Sequence, residues 1–141
     1  MASIFTKIIN GDIPGRFVWK DDLCVAFLTI NPIKPGHAMV VPREEIDHWL
    51  DVDPDLLQHL AVASQSIGKA LQHAFSPRKV GMIIAGLEVP HVHIHLIPVH
   101  DEIRDLYFAN ADPNPDPAAL DAAAEKIRAS LRELGHKEVA E

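Results

Sequence analysis

Residues 91–98 read His91-Val92-His93-Ile94-His95-Leu96-Ile97-Pro98, so three imidazoles occupy alternate positions in a run that is otherwise apolar. Successive side chains of a β-strand point to opposite faces of the sheet. The run over residues 91–97 is therefore predicted to be a strand with its histidines on one face and Val92, Ile94 and Leu96 on the other. Packing of the aliphatic face would hold the imidazoles on a rigid element, as an accurate site requires.

Two uses of this histidine row involve no attack on a substrate. The first is a solvated strand face, but strict alternation of three histidines, in a chain with nine among 141 residues, argues against coincidence. The second is a zinc site, because alternate imidazoles of a strand can bind one ion. His91 and His95 would lie about 13 Å apart along an extended strand, so a third ligand such as His37 or Glu88 would have to come from elsewhere.

Nucleophilic catalysis at phosphorus is the third use. A neutral imidazole nitrogen attacks a phosphoryl group and later departs, which divides one difficult displacement into two easier ones. The attacking ring needs one bare nitrogen and an acceptor that holds the proton on the other. His93 is flanked by an imidazole on each side and is the predicted nucleophile, because its neighbours can donate hydrogen bonds to phosphate oxygens.

Length and composition predict one soluble domain over residues 1–141. The formal net charge of −7 argues against nucleic-acid binding, which needs clustered lysine and arginine, but it permits a small anionic ligand. No apolar run reaches the length of a membrane span, and the first residues lack the pattern of a signal peptide. The single cysteine, Cys24, lies in an apolar run, so we expect no disulfides and a cytoplasmic location.

Apolar patterns and turn residues predict a sheet with helices packed on it. The predicted strands cover residues 17–20, 23–30, 37–41, 80–85 and 91–97. Ser3 is the predicted N-cap of a short helix over residues 4–9, and Asp53 caps a long helix that begins at Pro54 and ends at Ser76. Because strands and helices do not alternate strictly, the predicted fold class is α+β with a mainly antiparallel sheet.

The chain after the histidine row is predicted to form a loop and then a helix. Residues 99–116 form the loop, and a proline-rich run at residues 111–117 leads from it into the next helix. Asp116 then caps a C-terminal helix over residues 117–134, whose apolar stripe needs a partner surface. Residues 3–98 remain as the core of the domain.

Several segments together resemble the histidine triad (HIT) family of nucleotide hydrolases and transferases. Residues 91–97 match the family signature, His-x-His-x-His followed by two apolar positions. The segments SIFTKIINGDIP at residues 3–14 and DDLCVAFLTINPIKPGHAMVVP at residues 21–42 also occur in family order. The resemblance covers residues 3–98 and implies an α+β, HIT-like fold with a five-stranded antiparallel sheet, one long helix and a homodimeric assembly.

The resemblance also implies a role for each histidine of the site. His93 would attack the α-phosphorus of an AMP derivative and form a nucleotidyl-histidine. His95 would contact the phosphate or the leaving group. His37 would orient His93, and His91 would support the site structurally.

The same resemblance implies that Phe5, Ile8, Phe27, Thr29 and Glu88 contact the substrate. The first three would line the base pocket, although ordinary core packing explains them nearly as well. Thr29 takes the place of an Asp or Asn that binds the ribose hydroxyls, and one hydroxyl cannot accept two such bonds as a carboxylate does. Glu88 stands where Ser or Thr often touches phosphate, and its charge would repel that group unless it points away or is protonated.

Two departures from the family pattern affect the expected chemistry. Many bacterial relatives bind a structural zinc through two Cys, one His and the first triad His, but three of those positions are Ser3, Thr6 and Glu45 in this chain. We therefore expect no metal and no cofactor, and we expect the nearby His48 to face solvent. In the phosphate loop, Leu87 replaces the usual Gln.

The predicted function is cleavage of an AMP–X substrate, in which X is the leaving group of a phosphoramidate, an anhydride or a dinucleoside polyphosphate. One alternative is a nucleotide-binding or interaction protein with little catalysis, which the residues at 87 and 88 favour. A zinc-dependent hydrolase is the less favoured alternative.

Overall fold

A five-stranded antiparallel sheet organises the chain in the computed structural model, which describes residues 2–141. The strand order in the sheet is β1-β2-β3-β5-β4. The strands are β1 (Phe17–Lys20), β2 (Cys24–Leu28), β3 (Ala38–Pro42), β4 (Lys79–Ile84) and β5 (Ile94–Val99). The α+β class and the antiparallel five-stranded sheet predicted from the sequence are therefore confirmed.

Three α-helices accompany the sheet, namely α1 (Ile4–Ile9), α2 (Pro54–Phe75) and α3 (Pro117–Glu133). Their N-caps are the predicted ones, Ser3, Asp53 and Asp116, and each cap side chain accepts a backbone N–H of the first turn. Such caps satisfy donors that have no partner within the helix. Within residues 2–141, no helix is both long and apolar enough to cross a membrane.

The two faces of the sheet are covered differently. Helices α2 and α3 pack on one face, where Ile94 and Leu96 of β5 join the large apolar core. Helix α1 places Phe5 against the other face, in a smaller apolar cluster that includes Met39. Met39 pairs with His95 across β3 and β5, so the histidine side of β5 opens onto this second face.

The histidine row and the strand overlap only in part. Strand β5 begins at Ile94 and not at His91, because the N–H groups of His91 and Val92 bond to the carbonyls of Val89 and Ile46, outside the ladder. Val92 is nevertheless buried in the core on the aliphatic side. The predicted alternation of aliphatic and histidine side chains therefore holds, although only the third histidine lies within the ladder.

The segment predicted as a loop over residues 99–116 contains two short 3-10 helices, Ile103–Leu106 and Phe108–Asn110. The carboxylate of Asp105 accepts the N–H groups of His100 and Asp101 and lies 3.2 Å from the ammonium of Lys34. These contacts hold the segment against Lys34, shortly before β3 begins. Other predicted boundaries differ by one or two residues, as in β2, which was predicted over 23–30.

Candidate active site

Four histidines lie buried together on the sheet face that α1 partly covers. His91 and His37 are 0% and 2% exposed, and His93 and His95 are 5% and 9% exposed. Ring centres of His93 and His95 lie 4.8 Å apart, and those of His37 and His95 lie 5.1 Å apart. Because buried polar groups are satisfied by hydrogen bonds, the partner of each ring nitrogen indicates where the ring's proton lies.

The His91 ring is bonded through both nitrogens. Its Nε2 lies 2.8 Å from the carbonyl oxygen of Pro42, which can only accept, so Nε2 carries the proton. The other nitrogen, Nδ1, is therefore bare in the neutral ring and accepts the hydroxyl of Ser3 at 2.7 Å. In this arrangement both nitrogens of His91 are engaged by other residues of the chain.

The His93 ring has the opposite arrangement. Its Nδ1 lies 2.7 Å from the backbone carbonyl of His91 and must donate to it. In the neutral ring this leaves Nε2 without a proton and with a lone pair. The edge-to-face contact with Phe5, 4.9 Å between centres and 83° between planes, holds the ring in place. His93 therefore has the tautomer that a nucleophile requires.

His37 and His95 form a hydrogen-bonded pair in which the donor and the acceptor can be assigned. The N–H of Ile33 donates to Nδ1 of His37 at 3.1 Å, so the neutral His37 ring carries its proton on Nε2. That Nε2 donates to Nδ1 of His95 at 2.9 Å. His95 must then carry its own proton on Nε2, which gives the site one N–H donor beside the lone pair of His93.

The expectation that the His37 ring is the partner that orients His93 is wrong. Its ring bonds to His95, and the carbonyl of His91 orients His93. The register explains the difference, because Ala38 pairs with Leu96 and the preceding His37 is diagonal to His95. The His37 ring therefore lies beside the row, but its hydrogen-bond partner there is His95 and not the predicted His93.

Burial keeps these rings neutral. It lowers the pKa of His37 from 6.5 to about 4, with a smaller repulsion from His93 in the same direction. Burial likewise lowers the pKa of His95 to about 3, assisted by His93 and His37. The pKa of His93 is also lowered by burial, against an opposing effect of its bond to the His91 carbonyl. At neutral pH the site therefore presents one lone pair and one N–H donor.

Phe108 is a site residue that the sequence analysis missed. Its ring packs edge to face on His95 at 4.7 Å and lies 6.3 Å from His37. It comes from the second short 3-10 helix and remains 42% exposed. The only signal in the sequence was the aromatic pair Tyr107-Phe108 shortly after the histidine row, within a segment predicted as a loop.

The predicted base-pocket residues lie together beside the histidines. Phe5, Ile8 and Phe27 belong to one apolar cluster, in which the two phenylalanine rings are 5.5 Å apart. Thr29 lies next to His37, since its N–H donates to the His37 carbonyl at 3.3 Å. The Thr29 hydroxyl accepts the N–H of Asn31 at 3.2 Å, which leaves its proton free for a ligand.

The side chains of Leu87 and Glu88, in the loop just before the histidine row, are exposed to solvent. Leu87 is 93% exposed, and Glu88 is also exposed. The Glu88 carboxylate is nonetheless close enough to the triad to raise the pKa of His93 by its charge. His48 is exposed as well, as predicted, and accepts the N–H of Leu50.

The positions at which the family resemblance would place zinc form a closed hydrogen-bonded group, which we call the Ser3 cluster: Ser3, Thr6, Glu45 and His91. One carboxylate oxygen of Glu45 accepts the N–H of Ser3 at 2.6 Å and the hydroxyl of Thr6 at 2.7 Å. Structural zinc sites use thiolate, imidazole or carboxylate ligands, and two of the four side chains are hydroxyls. Since the lone pair of His91 Nδ1 is already engaged, the residues do not fit a zinc ion.

A second group with metal-ligand side chains joins the β1–β2 turn to α2: Asp21, Cys24 and His59. Both carboxylate oxygens of Asp21 already accept hydrogen bonds, one from the N–H groups of Leu23 and Cys24 and the other from Trp19 and His59. Burial raises the pKa of the Cys24 thiol far above its usual range, so the thiol stays protonated. This group is a structural hydrogen-bonded link.

Comparison with known proteins gives a consistent result. A family model for the HIT domain matches residues 10–102. The adenosine 5'-monophosphoramidase of Saccharomyces cerevisiae is 33% identical over 102 residues, which cover 72% of this chain and 65% of that protein. The adenylylsulfatase of Arabidopsis thaliana is 25% identical over 134 residues, which cover 92% of this chain and 67% of that protein.

The fold agrees with a solved structure over nearly the whole chain. A hypothetical histidine triad nucleotide-binding protein of Sulfolobus tokodaii superposes with a TM-score of 0.83 at 25% identity. The superposition covers 95% of this chain and 95% of that one.

Proposed function

This chain belongs to the HIT domain family, and from that premise we propose that it hydrolyses or transfers the adenylyl group of AMP–X substrates through a covalent intermediate on His93. X is a leaving group bonded to the α-phosphorus. The phosphoramidase and adenylylsulfatase among its relatives support an adenylate in which X is an amine or a sulfate.

In the first step the lone pair on Nε2 of His93 attacks the α-phosphorus. A nitrogen–phosphorus bond forms, the bond from phosphorus to X breaks, and X leaves with that electron pair. The positive charge that develops on the His93 ring is stabilised by its Nδ1–H bond to the His91 carbonyl, 2.7 Å long. The N–H on Nε2 of His95 donates to a phosphoryl oxygen or to the departing atom, where negative charge accumulates.

In the second step a water molecule attacks phosphorus and displaces His93. The nitrogen–phosphorus bond breaks, the lone pair returns to Nε2, and AMP is released. The water supplies a hydroxyl to the phosphate and, through solvent, the proton that X needs. The rings of His93, His95 and His37 end as neutral as they began, so no net proton is lost from the site.

The observation that carries this proposal is the set of hydrogen bonds that determines which nitrogen of each ring carries the proton. Two backbone groups determine these positions. The His91 carbonyl holds the proton of His93 on Nδ1, and the Ile33 N–H leaves the proton of His37 on Nε2. A solvated strand face would need no such arrangement. The buried cluster of Phe5, Ile8 and Phe27 is the surface on which we propose that the base stacks, with Thr29 at the ribose and Glu88 near the phosphate.

A nucleotide-binding protein with little catalysis is the second candidate. The exposed side chains of Leu87 and Glu88 favour it, because neither offers a donor to a phosphate. This candidate predicts tight AMP binding together with the absence of turnover on every AMP–X compound.

Release of AMP from a panel of AMP–X compounds, containing an adenosine phosphoramidate, adenylylsulfate and a dinucleoside polyphosphate, tests the proposal. We expect turnover of at least one compound by the wild type and a loss of at least about a thousandfold in His93→Ala. His48→Ala, an exposed histidine outside the site, is the matched control and should keep wild-type rates. Equal rates for His93→Ala and the wild type would refute the mechanism.

We also propose a homodimer that forms through the β4 edge of the sheet. Met82 on this strand is 57% exposed, and the strand lies at an edge of the sheet. An antiparallel edge strand can pair with its own copy. Light scattering should give twice the 15.6 kDa chain mass, and Met82→Lys should yield the monomer; a wild-type monomer contradicts the proposal.

A further inference from the structure

The Ser3 cluster connects three distant parts of the chain at one histidine. Ser3 and Thr6 belong to the start of α1, Glu45 follows β3, and His91 opens the histidine row. Ser3 and Glu45 are 42 positions apart in sequence, and Ser3 and His91 are 88 apart. Ser3 is only 8% exposed, so its bond to the ring is shielded from water.

Each of these hydrogen bonds in the Ser3 cluster can be assigned one donor and one acceptor. The Pro42 carbonyl holds the His91 proton on Nε2, so the Ser3 hydroxyl must donate to Nδ1. The Ser3 oxygen accepts the N–H of Thr6 at 3.0 Å. The Thr6 hydroxyl and the Ser3 N–H both donate to the carboxylate of Glu45. The cluster therefore has a single consistent pattern, with the carboxylate as its terminal acceptor.

The cluster acts on the nucleophile through the backbone of His91. Ser3 and Pro42 fix the His91 ring from its two sides, and the carbonyl of the same residue holds the proton of His93 on Nδ1. The peptide that carries this carbonyl is also held by the Val92 N–H, which bonds to the carbonyl of Ile46. Release of the His91 ring would therefore remove one of two restraints on the carbonyl, and His93 would more often place its proton on Nε2, the atom that attacks. Phe5 in α1 packs on both rings, so the helix that carries Ser3 also borders the nucleophile.

We propose that Ser3 and Glu45, together with Thr6, are positioning residues for His93, and that their hydrogen bonds replace a metal ion as the anchor of His91. The part of this inference that concerns turnover rests on the proposed function. The part that concerns the tautomer of His93 does not, because it follows from the hydrogen bonds alone.

The test combines kinetics with a direct view of the ring protons. Long-range ¹H–¹⁵N spectra of the full chain report which nitrogen of each histidine carries hydrogen. In the wild type we expect His93 to be protonated on Nδ1 alone and His91 on Nε2 alone. Dialysis against a chelator should change neither the spectra nor kcat; a metal-dependent change in the His91 signals would overturn the inference.

Three substitutions at Ser3 separate positioning from helix capping. Ser3→Ala removes both the cap and the donor to His91, Ser3→Gly removes the donor but leaves a residue type that is tolerated at the N-cap, and Ser3→Thr keeps both. We expect kcat to fall by about five- to tenfold in the Ala and Gly variants, with KM within about twofold and mixed protonation of His93. Ser3→Thr should restore wild-type values. Wild-type kcat and a single His93 tautomer in Ser3→Gly would overturn the inference.

Glu45→Ala tests the same cluster from an exposed position, where the substitution does not threaten folding. Glu44→Ala, the neighbouring exposed carboxylate, removes the same charge outside the cluster and is the matched control. We expect Glu45→Ala, but not Glu44→Ala, to lower kcat and to mix the His93 tautomers. If the wild type turned over no AMP–X compound, the proposed function would fail, while the spectra of these variants would still decide the inference.

Discussion

The histidine row and the loop just before it differ in how fully their side chains are engaged. Along the row, Nε2 of His91, Nδ1 of His93 and Nδ1 of His95 each have a defined partner at 2.7 to 2.9 Å. In the loop over residues 85–90, Leu87 is 93% exposed and Glu88 also lies in solvent. The hydrogen bonds of the row are therefore fixed by the fold, whereas the side chains of Leu87 and Glu88 are left exposed. In the proposed function the row supplies the chemistry and the loop contributes to the selection of substrate.

His95→Ala should produce the largest effect among the neighbours of the nucleophile. In the proposed mechanism it removes the N–H donor to the phosphoryl oxygen or the leaving group, and loss of such a donor typically costs at least about a hundredfold in kcat. Single-turnover rates on the best AMP–X substrate measure it, with His48→Ala as the control. A loss smaller than about threefold would show that His95 does not stabilise the transition state.

His37→Ala should cost less, about tenfold, because the His37 ring bonds to His95 and, in the proposed mechanism, affects the reaction only through that bond. Thermal denaturation checks folding, since His37 is buried. The comparison sharpens in the double variant: in a His95→Ala background the further loss from His37→Ala should nearly vanish. Fully additive losses would mean that His37 acts independently of His95.

The pH dependence follows from the lowered pKa values of the buried rings. His93 must be neutral to attack, so kcat/KM should fall on the acid side, with a midpoint below 6.5 because burial lowers the pKa of His93. Stability should fall in the same direction. Below about pH 6.5 the unfolded chain takes up protons that His37 resists until about pH 4 and His95 until about pH 3, so the free energy of unfolding decreases as the pH is lowered.

Denaturant titrations between pH 7 and pH 4 measure that decrease in stability. The replacement His37→Ala should reduce the slope of unfolding free energy against pH, because it removes one of the responsible rings. A slope unchanged from the wild type would contradict the assignment of a lowered pKa to His37.

The smallest predicted effect belongs to the open loop. Glu88→Gln removes a charge that raises the pKa of His93 and that repels an anionic substrate. We expect kcat/KM to rise by about two- to fivefold, as for one solvent-screened charge, and the acid limb of the profile to move to lower pH. Glu44→Gln is the control, and a decrease in kcat/KM would indicate that Glu88 makes a favourable contact with the substrate.

The sequence predicted the sheet, the helix caps and the position of the row, because apolar alternation and capping residues act locally. It could not predict that β5 begins at Ile94, since that boundary depends on Val92 bonding to a carbonyl in a distant segment. It also assigned His37 to the wrong partner, because the diagonal across two strands depends on register.

Contacts between remote segments account for the other omissions. Phe108 lies in a region without periodic pattern, and its packing on His95 depends on the fold of the 3-10 helices. Ser3 was predicted as a helix cap and as a departure from the zinc ligands, but its bond to His91 joins residues 88 positions apart. Thr6 and Glu45 were recognised as departures from zinc ligands, but the network that they form joins segments about 40 residues apart in sequence.

The most direct test of the central claim is mass spectrometry of the chain after rapid mixing with the best AMP–X substrate and quenching without acid. We predict a transient mass increase equal to one adenylyl group, located on the peptide that contains His93 and absent from His93→Ala. Steady turnover without this adduct, or an adduct on a different histidine, would contradict the account.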